Sequence, residues 1–319
     1  MPQLSSWGSM IEAMPDLKFG VNLFPHQWQD ISRIEELGYD SAWTSEHVFF
    51  YFPTFDALTL LAAMAARTSR IQLGTAVLLL PLRPAALAAK EIASVDIIAG
   101  GRLILGVGIG GEYPREFQAC GVPLNERGPR TNEAIRVLRK LWSEENVSFD
   151  GRFTKLDSVT LLPKPTQPGG PPIWIAGRSP AAIRRAGRLG DGYLPYLFSP
   201  DRYRDSLSKV HQEAEAAGRD PDAITPALYQ FVCLADTYDE AKRIAAADLS
   251  RRYNQPFDQI VDRYLVMGSP DDCARRLADF AEAGVRHFLL VPITPTIGDF
   301  LPHIEAYARE VLPRPRPQT

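Results

Sequence analysis

The stretch that decides the fold is residues 163–193, PKPTQPGGPPIWIAGRSPAAIRRAGRLGDGY. Five prolines precede a short apolar run, residues 173–176, and proline cannot donate a hydrogen bond inside a sheet. Because the run is so short and so uniformly apolar, it predicts a strand buried on both faces. A helical pattern follows at once, with Ser179 as the expected N-cap and Pro180 at the first helical position. The stretch therefore predicts one strand–turn–helix unit of a parallel α/β fold.

The turn inside this unit carries a possible ligand site. Gly177, Arg178 and Ser179 lie where a strand ends and a helix begins, so their backbone N–H groups lack helical partners. Such groups beside an arginine suit an anion, most naturally a phosphate. The alternative is an ordinary strand-to-helix turn without a ligand, and the local sequence leaves both interpretations open.

The composition excludes several classes of protein. Hydrophobic residues make up 45% and charged residues 23% of the 319 residues, as in ordinary globular proteins. A net charge of −3 with scattered basic residues argues against a dedicated nucleic-acid binder. Three distant cysteines without a CxxC pattern disfavour a disulfide framework and fit a reducing cytoplasm. No signal-peptide pattern or long apolar segment occurs, so we expect a cytoplasmic protein with no membrane partner.

Short apolar runs alternate with amphipathic stretches along the whole chain. The predicted strands are residues 18–23, 39–44, 71–80, 102–107, 173–176, 192–195, 227–235 and 286–291. Besides the helix after Ser179, helices are predicted at residues 27–37, 55–67, 84–99, 131–142, 201–217, 240–252, 270–283 and 298–311. Eight such repeats fit a single α/β domain, a (β/α)8 TIM barrel.

We place the barrel domain at residues 18–312, with an N-terminal extension at 1–17 and a disordered, proline-rich tail at 313–319. Loop insertions are expected at 147–161, as a hairpin, and at 248–265. A doubly wound sheet is the competing architecture, since residues 106–111 match GxGxxG after a strand. That motif normally belongs to the first strand–helix unit, whereas here it follows the fourth strand, so we discount it.

A barrel enzyme carries its active site at the C-terminal ends of the strands, which makes His47 the leading acid–base candidate. Its alternative is a histidine held by hydrogen bonds in a loop. Glu46, which precedes it, is the second predicted catalytic residue, and His26 is a weaker candidate after the first strand. The aromatic residues after His47 either wall a substrate pocket or cap the barrel core, and both interpretations stay open: Phe49, Phe50, Tyr51, Phe52 and Phe55.

The chain lacks the motifs of metal or nucleophile enzymes. It has no HxH, HExxH or GxSxG pattern. We assign structural roles to the three remaining histidines, His211, His287 and His303. Difficult chemistry would then come from an organic cofactor. A phosphate turn beside an aromatic mouth suits a molecule the size of flavin mononucleotide (FMN).

Taken together in order, six segments make the chain resemble the luciferase-like flavin-dependent oxidoreductases, also called the bacterial luciferase superfamily. The resemblance extends from about Phe19 to Val291, and these segments together are highly specific for that superfamily: AWTSEH (42–47), SRIQLGTAV (69–77), RPAALAAKEIASVD (83–96), GGRLILGVGIGG (100–111), EFQACGVPLNERGPRTNEAIRVLRKLW (116–142) and PPIWIAGRSPAAIRRAGRLGDGY (171–193).

The resemblance implies a TIM barrel with a flavin or deazaflavin ring in its mouth. It implies that His47, preceded by Glu46, faces the reacting centre, and that a non-proline cis peptide joins Ala76 to Val77. It also implies a set of cofactor-binding residues with no metal: Thr75, Ala76, Val77, Gly108, Gly110, Gly111, Ala176, Gly177, Arg178 and Ser179.

Two chemistries of the superfamily compete. One is a monooxygenase that uses reduced FMN, supplied by a partner flavin reductase, and O2 on a small organic substrate. The other transfers hydride with the deazaflavin coenzyme F-420 (F420). Few basic residues surround the phosphate turn in the sequence, which gives no clear site for the polyglutamate tail of F420, so we favour FMN. A cofactor-free binding barrel is a third hypothesis. The relatives also imply a homodimer, and the sequence does not identify the substrate.

Overall fold

A computed structural model describes residues 17–253 and 255–312, and within them eight parallel strands close into a barrel. The strands are β1 Lys18–Leu23, β2 Ser41–Thr44, β3 Gln72–Thr75, β4 Leu78–Leu79, β5 Leu103–Gly108, β6 Val147–Asp150, β7 Lys155–Val159, β8 Ile173–Ala176, β9 Gly192–Leu194, β10 Thr225–Leu234, β11 Val266–Gly268 and β12 His287–Pro292. The barrel order is β12-β1-β2-β3-β5-β8-β9-β10, and β10 pairs with β12 to complete the circle.

The helices surround the barrel, and several begin with the serine–proline signal that the sequence displays. Ser179, Ser199 and Ser269 each accept a hydrogen bond from a backbone N–H in the first turn, and each precedes a proline. The helices are α1 Ile31–Glu36, α2 Ala57–Ala65, α3 Ala85–Ile98, α4 Pro114–Ala119, α5 Arg127–Ser143, α6 Pro180–Leu189, α7 Pro200–Glu215, α8 Tyr238–Tyr253, α9 Val261–Tyr264, α10 Pro270–Glu282 and α11 Phe300–Glu310.

The predicted TIM barrel is confirmed, with all eight predicted strands in place. The third predicted strand is divided into β3 and β4, and residues 147–159 form the predicted hairpin from antiparallel β6 and β7. Sequence reasoning missed β11, α4 and α9, which are all short. The predicted insertion at 248–265 begins inside α8. Apart from Leu17, the predicted extension at 1–17 lies outside the described residues, as does the predicted tail at 313–319.

Large side chains fill the inside of the barrel and form the floor beneath its mouth, the end where the strands terminate. The rings of Trp43 and Trp174 lie 5.1 Å apart. Glycine gives them room: a Cβ on Gly74 would come within 2.2 Å of Trp43, and one on Gly192 within 2.4 Å of Trp174. His287 is buried beside these two indoles, edge-on to both, with its ring centroid 5.9 Å from that of Trp43 and 5.0 Å from that of Trp174. The barrel interior is therefore a packed core, and within the barrel the place for a ligand is the mouth.

Candidate active site

His47 lies just after β2 and is held by a carboxylate from another part of the chain. Its Nδ1 is 3.2 Å from Oε1 and 3.3 Å from Oε2 of Glu116, the third residue of α4. The Val48 N–H donates to the same carboxylate at 3.1 Å. Glu116 is completely buried, whereas 15% of the His47 side chain is exposed. This arrangement directs Nδ1 toward the acid and leaves Nε2 as the nitrogen for a reacting group.

Aromatic side chains fix the plane of the His47 ring. Phe50 stacks on it with ring centroids 3.9 Å apart and planes 11° from parallel. Phe52 packs edge-on against Phe50 and also lies near Phe24. Phe49 and Tyr51 are half or more exposed, at 50% and 70%. The loop therefore forms a wall beside His47 at the mouth, and it does not act as a buried cap over the core.

Glu46 points away from this pair and joins a different cluster. Its carboxylate accepts a bidentate interaction from Arg83, at 2.8 and 2.7 Å, and a hydrogen bond from the Leu79 N–H at 3.0 Å. Arg83 also bridges to Asp56. Burial raises the pKa of the Glu46 carboxyl, and Arg83 opposes that rise. Since its oxygens are occupied, Glu46 ties β2 to the segment after β4, and its predicted catalytic role stays a prediction.

The segment after β3 has the geometry that the resemblance implied. The Ala76–Val77 peptide bond is cis. The hydroxyl of Thr75 donates to the Gly106 carbonyl at 2.7 Å, which links the ends of β3 and β5. A Cβ on Gly108 would lie 2.3 Å from Val77 Cγ2. Glycine at 108 thus lets the Val77 side chain pack directly on the β5 backbone.

The loop after β5 runs along the rim of the mouth. Gly110 and Gly111 have φ angles of +59° and +121°, which glycine tolerates far better than other residues. Arg127, at the start of α5, packs beside Gly111, and a Cβ there would lie 3.3 Å from its Nε. The same loop leads into α4 and so delivers Glu116 to His47. The glycines and the acid are therefore parts of one structural unit.

The predicted phosphate turn is present as a strand–turn–helix junction. β8 ends at Ala176, Gly177 has a φ angle of +124°, and the Ser179 side chain accepts from the Ala182 N–H at 3.2 Å. Arg178 lies over the ring of Tyr196, 4.5 Å from its centroid. The turn thus places backbone N–H groups and a guanidinium together at the mouth, which is the donor set that an anion requires.

Two buried polar atoms at this end of the barrel test whether a cofactor fits. Within the described residues, Asn22 Nδ2 and Arg127 Nε have no hydrogen-bond partner although both atoms are buried. Asn22 lies near the end of β1, where its Oδ1 accepts from the Ser45 hydroxyl at 3.3 Å. Unsatisfied buried donors are costly and usually have a partner. These two unpaired donors, the glycine-rich loop after β5 and the turn after β8 therefore fit a cofactor that has a polar ring and a phosphate-bearing side chain.

A cationic groove on the outer surface begins at the phosphate turn, contrary to the expectation that this region is poor in basic residues. It lies between α6 and α7 and has a volume of about 520 Å³. Five cations line it together with the carboxylates of Asp205 and Glu213: Arg178, Arg184, Arg188, Arg202 and Lys209. The sequence does not show this cluster of basic residues, because most of them lie on two separate helices, α6 and α7, that pack side by side.

No group of three or more histidine, cysteine, aspartate or glutamate side chains is arranged to hold a metal ion among residues 17–253 and 255–312. Over the same residues, no helix combines the length and the apolar character needed to cross a membrane.

Residues 29–287 match the luciferase-like monooxygenase family. The chain belongs to this family. An F420-dependent glucose-6-phosphate dehydrogenase from Kineococcus radiotolerans is 32% identical over 80% of this chain and 83% of its own. A 5,10-methylenetetrahydromethanopterin reductase from Methanolobus tindarius is 31% identical over 74% of this chain and 66% of its own. Family membership makes this luciferase-like chain an oxidoreductase.

Solved structures agree on the fold. Monooxygenase RslO1 from Streptomyces bottropensis is 29% identical, with a TM-score of 0.81 over 93% of this chain and 99% of its own. An F420-dependent secondary alcohol dehydrogenase, solved with an F420-acetone adduct, has a TM-score of 0.83 over 94% and 99%. Its identity of 23% supports the barrel alone.

Sequence reasoning found His47 but missed the residues that complete its surroundings. Glu116 is 69 residues away in sequence, and no spacing rule connects it to His47. Arg83 was seen only as part of a family-like segment, and Asn22 was hidden inside a predicted strand. For Asn22 a signal existed, since an amide in an otherwise apolar run that ends at a barrel mouth is a candidate for binding.

Proposed function

We propose that this protein is an F420-dependent oxidoreductase that transfers hydride between a small organic substrate and the deazaflavin. The observation that carries the proposal is the agreement among curated relatives. The glucose-6-phosphate dehydrogenase of K. radiotolerans is F420-dependent, and so is that of Amycolatopsis mediterranei, which is 30% identical over 81% of this chain. These relatives support the deazaflavin alternative better than the FMN reading favoured from sequence.

The cofactor-binding residues that the resemblance implied are proposed to act together at the mouth. The turn at Gly177, Arg178 and Ser179 is proposed to bind the phosphate, with Ala176 leading into it. Thr75, Ala76, Val77 and the glycines at 108, 110 and 111 are proposed to support the ring. Asn22 Nδ2 and Arg127 Nε supply the buried donors that otherwise lack partners in the described residues. When bound, a deazaflavin accepts or gives up a hydride.

His47 is proposed to handle the proton of the reaction. In the oxidation of an alcohol, His47 Nε2 would take the hydroxyl proton, while a bound deazaflavin would supply the acceptor for the C–H hydrogen and its electron pair. The C–O single bond becomes a carbonyl, so electrons and protons balance. Glu116 holds Nδ1 and stabilises the imidazolium, while Phe50 keeps the ring in plane. The reverse reaction returns the same proton to a carbonyl oxygen.

An FMN monooxygenase remains the second candidate, and one observation favours it. The structural relative RslO1 is a monooxygenase and is 29% identical over nearly its entire length. On this reading a separate reductase supplies reduced FMN, and the chemistry needs O2.

Turnover measured without oxygen and turnover measured with labelled O2 separate the two candidate functions. The protein is incubated with oxidised F420 and a panel of secondary alcohols and sugar phosphates, without oxygen, and loss of the oxidised deazaflavin absorbance is followed. A parallel series uses reduced FMN and labelled O2. Anaerobic F420 reduction with an alcohol supports the proposal. Label in a product, with no F420 reduction by any compound, establishes the monooxygenase instead.

The homodimer expected from the relatives is also a proposal. Helix α3 exposes three apolar side chains, Leu87 at 51%, Ile97 at 38% and Ile98 at 54%. Clustered exposure of this kind suits a symmetric partner. Light scattering measures the mass directly, and a value near the 35.4 kDa of a single chain would remove the dimer.

A further inference from the structure

The cationic groove between α6 and α7 is unusual for a chain with a net charge of −3. Five cationic side chains face two carboxylates, so the groove is positive while the protein as a whole is negative. Part of that charge is neutralised, because Arg188 Nε donates to Glu213 at 2.7 Å. Arg178, Arg184, Arg202 and Lys209 remain with the single carboxylate of Asp205, so the groove stays positive from the turn along the two helices. Such a field attracts a chain of negative charges.

The helix ends strengthen the positive field where the groove begins. α6 follows β8 and α7 follows β9, so both N-termini lie at the mouth end of the barrel. Each begins with a serine cap and a proline, and the positive end of each helix dipole points toward the phosphate turn. An anionic ligand that extends from the turn into the groove is therefore attracted by positive charge where the groove begins.

The groove is continuous with the phosphate turn, and this continuity indicates which ligand it binds. Arg178 belongs to the turn and also lines the groove, so the groove starts where the cofactor phosphate is proposed to bind. The 10 residues of α6 extend for about 15 Å, which matches an extended chain of a few acidic residues. FMN ends at its phosphate and has nothing to place there. F420 continues beyond its phosphate into a polyglutamate tail.

We propose that the groove binds the polyglutamate tail of F420, an inference that rests on the proposed F420-dependent function. Arg184 and Lys209 are exposed side chains on opposite walls, α6 and α7, and contact the tail carboxylates. Arg202 is held over the ring of Phe198, 4.4 Å from its centroid, and contributes from the mouth end. The groove selects cofactor by charge and leaves the mouth to select substrate.

Exposed ion pairs are individually weak, so the contribution of the groove comes from several contacts acting together. Their sum has two measurable properties. The affinity for tailed F420 falls as salt rises, because exposed charges are screened beyond about 8–10 Å at ionic strengths of 0.10–0.15 M. The affinity for a tail-free form, which keeps the ring and the phosphate, changes less with salt.

The test compares binding of tailed F420 and its tail-free form, measured by fluorescence at low salt. Wild type is compared with Arg184→Glu/Lys209→Glu, which reverses charge on both walls without touching the turn. The control is Arg136→Glu/Arg243→Glu, two exposed arginines on α5 and α8, which do not line the groove. We expect wild type to bind the tailed form about tenfold more tightly, and the groove variant to lose that preference. Binding of the tail-free form changes less than about twofold in every variant.

Each other outcome has a distinct meaning. Equal binding of both forms by wild type overturns the groove inference and leaves the proposed F420 function intact. A groove variant that weakens both forms equally, or a control variant that weakens the tailed form as much, also overturns it. Failure of wild type to bind either form, together with binding of FMN, overturns the groove inference and the proposed function together.

Discussion

Two histidines in this barrel show how surroundings decide what one residue type does. His47 lies at the mouth, is partly exposed and contacts the carboxylate of Glu116. His287 lies in the barrel interior at 2% exposure, with Nε2 2.7 Å from the Ser41 hydroxyl and two indole rings packed edge-on against it. Burial lowers the pKa of His287 to about 3, so it stays neutral at ordinary pH.

The difference lies in which groups each ring can reach. His47 has an acid on Nδ1, which leaves Nε2 for a reactant, and this arrangement suits proton transfer. The one hydrogen-bond partner described for His287 is a hydroxyl that already accepts from Trp43 Nε1 at 2.7 Å. A buried imidazole of this kind contributes to packing and to the satisfaction of polar groups. Substitutions at the two sites should therefore separate activity from stability.

The largest expected effect is on turnover at the mouth. His47→Asn should fold and bind F420, but lose turnover by about 10²-fold or more, because a proton-transfer group contributes on that scale. Steady-state kinetics with a substrate found in the panel measures it. His211→Asn, on α7, is the control and should keep its turnover. Unchanged turnover in His47→Asn would remove this residue from the chemistry.

Glu46→Gln distinguishes a positioning role from the catalytic role predicted from the sequence. Removing the charge leaves Arg83 with weaker partners in a largely buried cluster, so the free energy of unfolding should fall by about 2–3 kcal/mol. Turnover per folded molecule should fall less than in His47→Asn. Denaturant unfolding and kinetics on the same preparation measure both quantities. A large loss of turnover with unchanged stability would instead support a catalytic Glu46.

Arg178→Ala tests the phosphate turn with a smaller effect. Losing one charge-assisted contact should weaken phosphate-bearing cofactors about tenfold, while the phosphate-free deazaflavin is unaffected. Titration of F420 and its phosphate-free fragment measures the selectivity. Equal weakening of both ligands would show that Arg178 acts on the ring region, or on the fold, and not on the phosphate.

Substitution of His287 should change the pH dependence of the free energy of unfolding and leave turnover almost unaffected. Its pKa in the folded protein lies below the unfolded value, so stability is complete above about pH 6.5 and falls as the pH decreases toward about 3. The slope attributable to one histidine is at most about 1.4 kcal/mol per pH unit. His287→Leu should reduce the slope by that amount and leave turnover at neutral pH nearly unchanged. An identical slope in the variant would contradict the assignment.

Local signals made most of the fold predictable, whereas the site depended on contacts between distant segments. Residues 173–176 and Ser179-Pro180 carry their own strand, cap and helix signals, and the structure places them as expected. β11 was missed because three residues give no periodicity. Glu116 reaches His47 only through barrel closure, and the groove arises because α6 and α7 pack side by side. In the sequence, the basic residues of each helix look like those of any solvent-exposed helix face.

Equilibrium binding of F420 and of FMN to the purified protein tests the central claim most directly, since it needs no knowledge of the substrate. Both ligands are titrated in the oxidised form under the same buffer and salt, with riboflavin as the phosphate-free flavin control. The proposed function predicts that F420 binds at least about tenfold more tightly than FMN, equivalent to about 1.4 kcal/mol. Tighter binding of FMN than of F420 would contradict it.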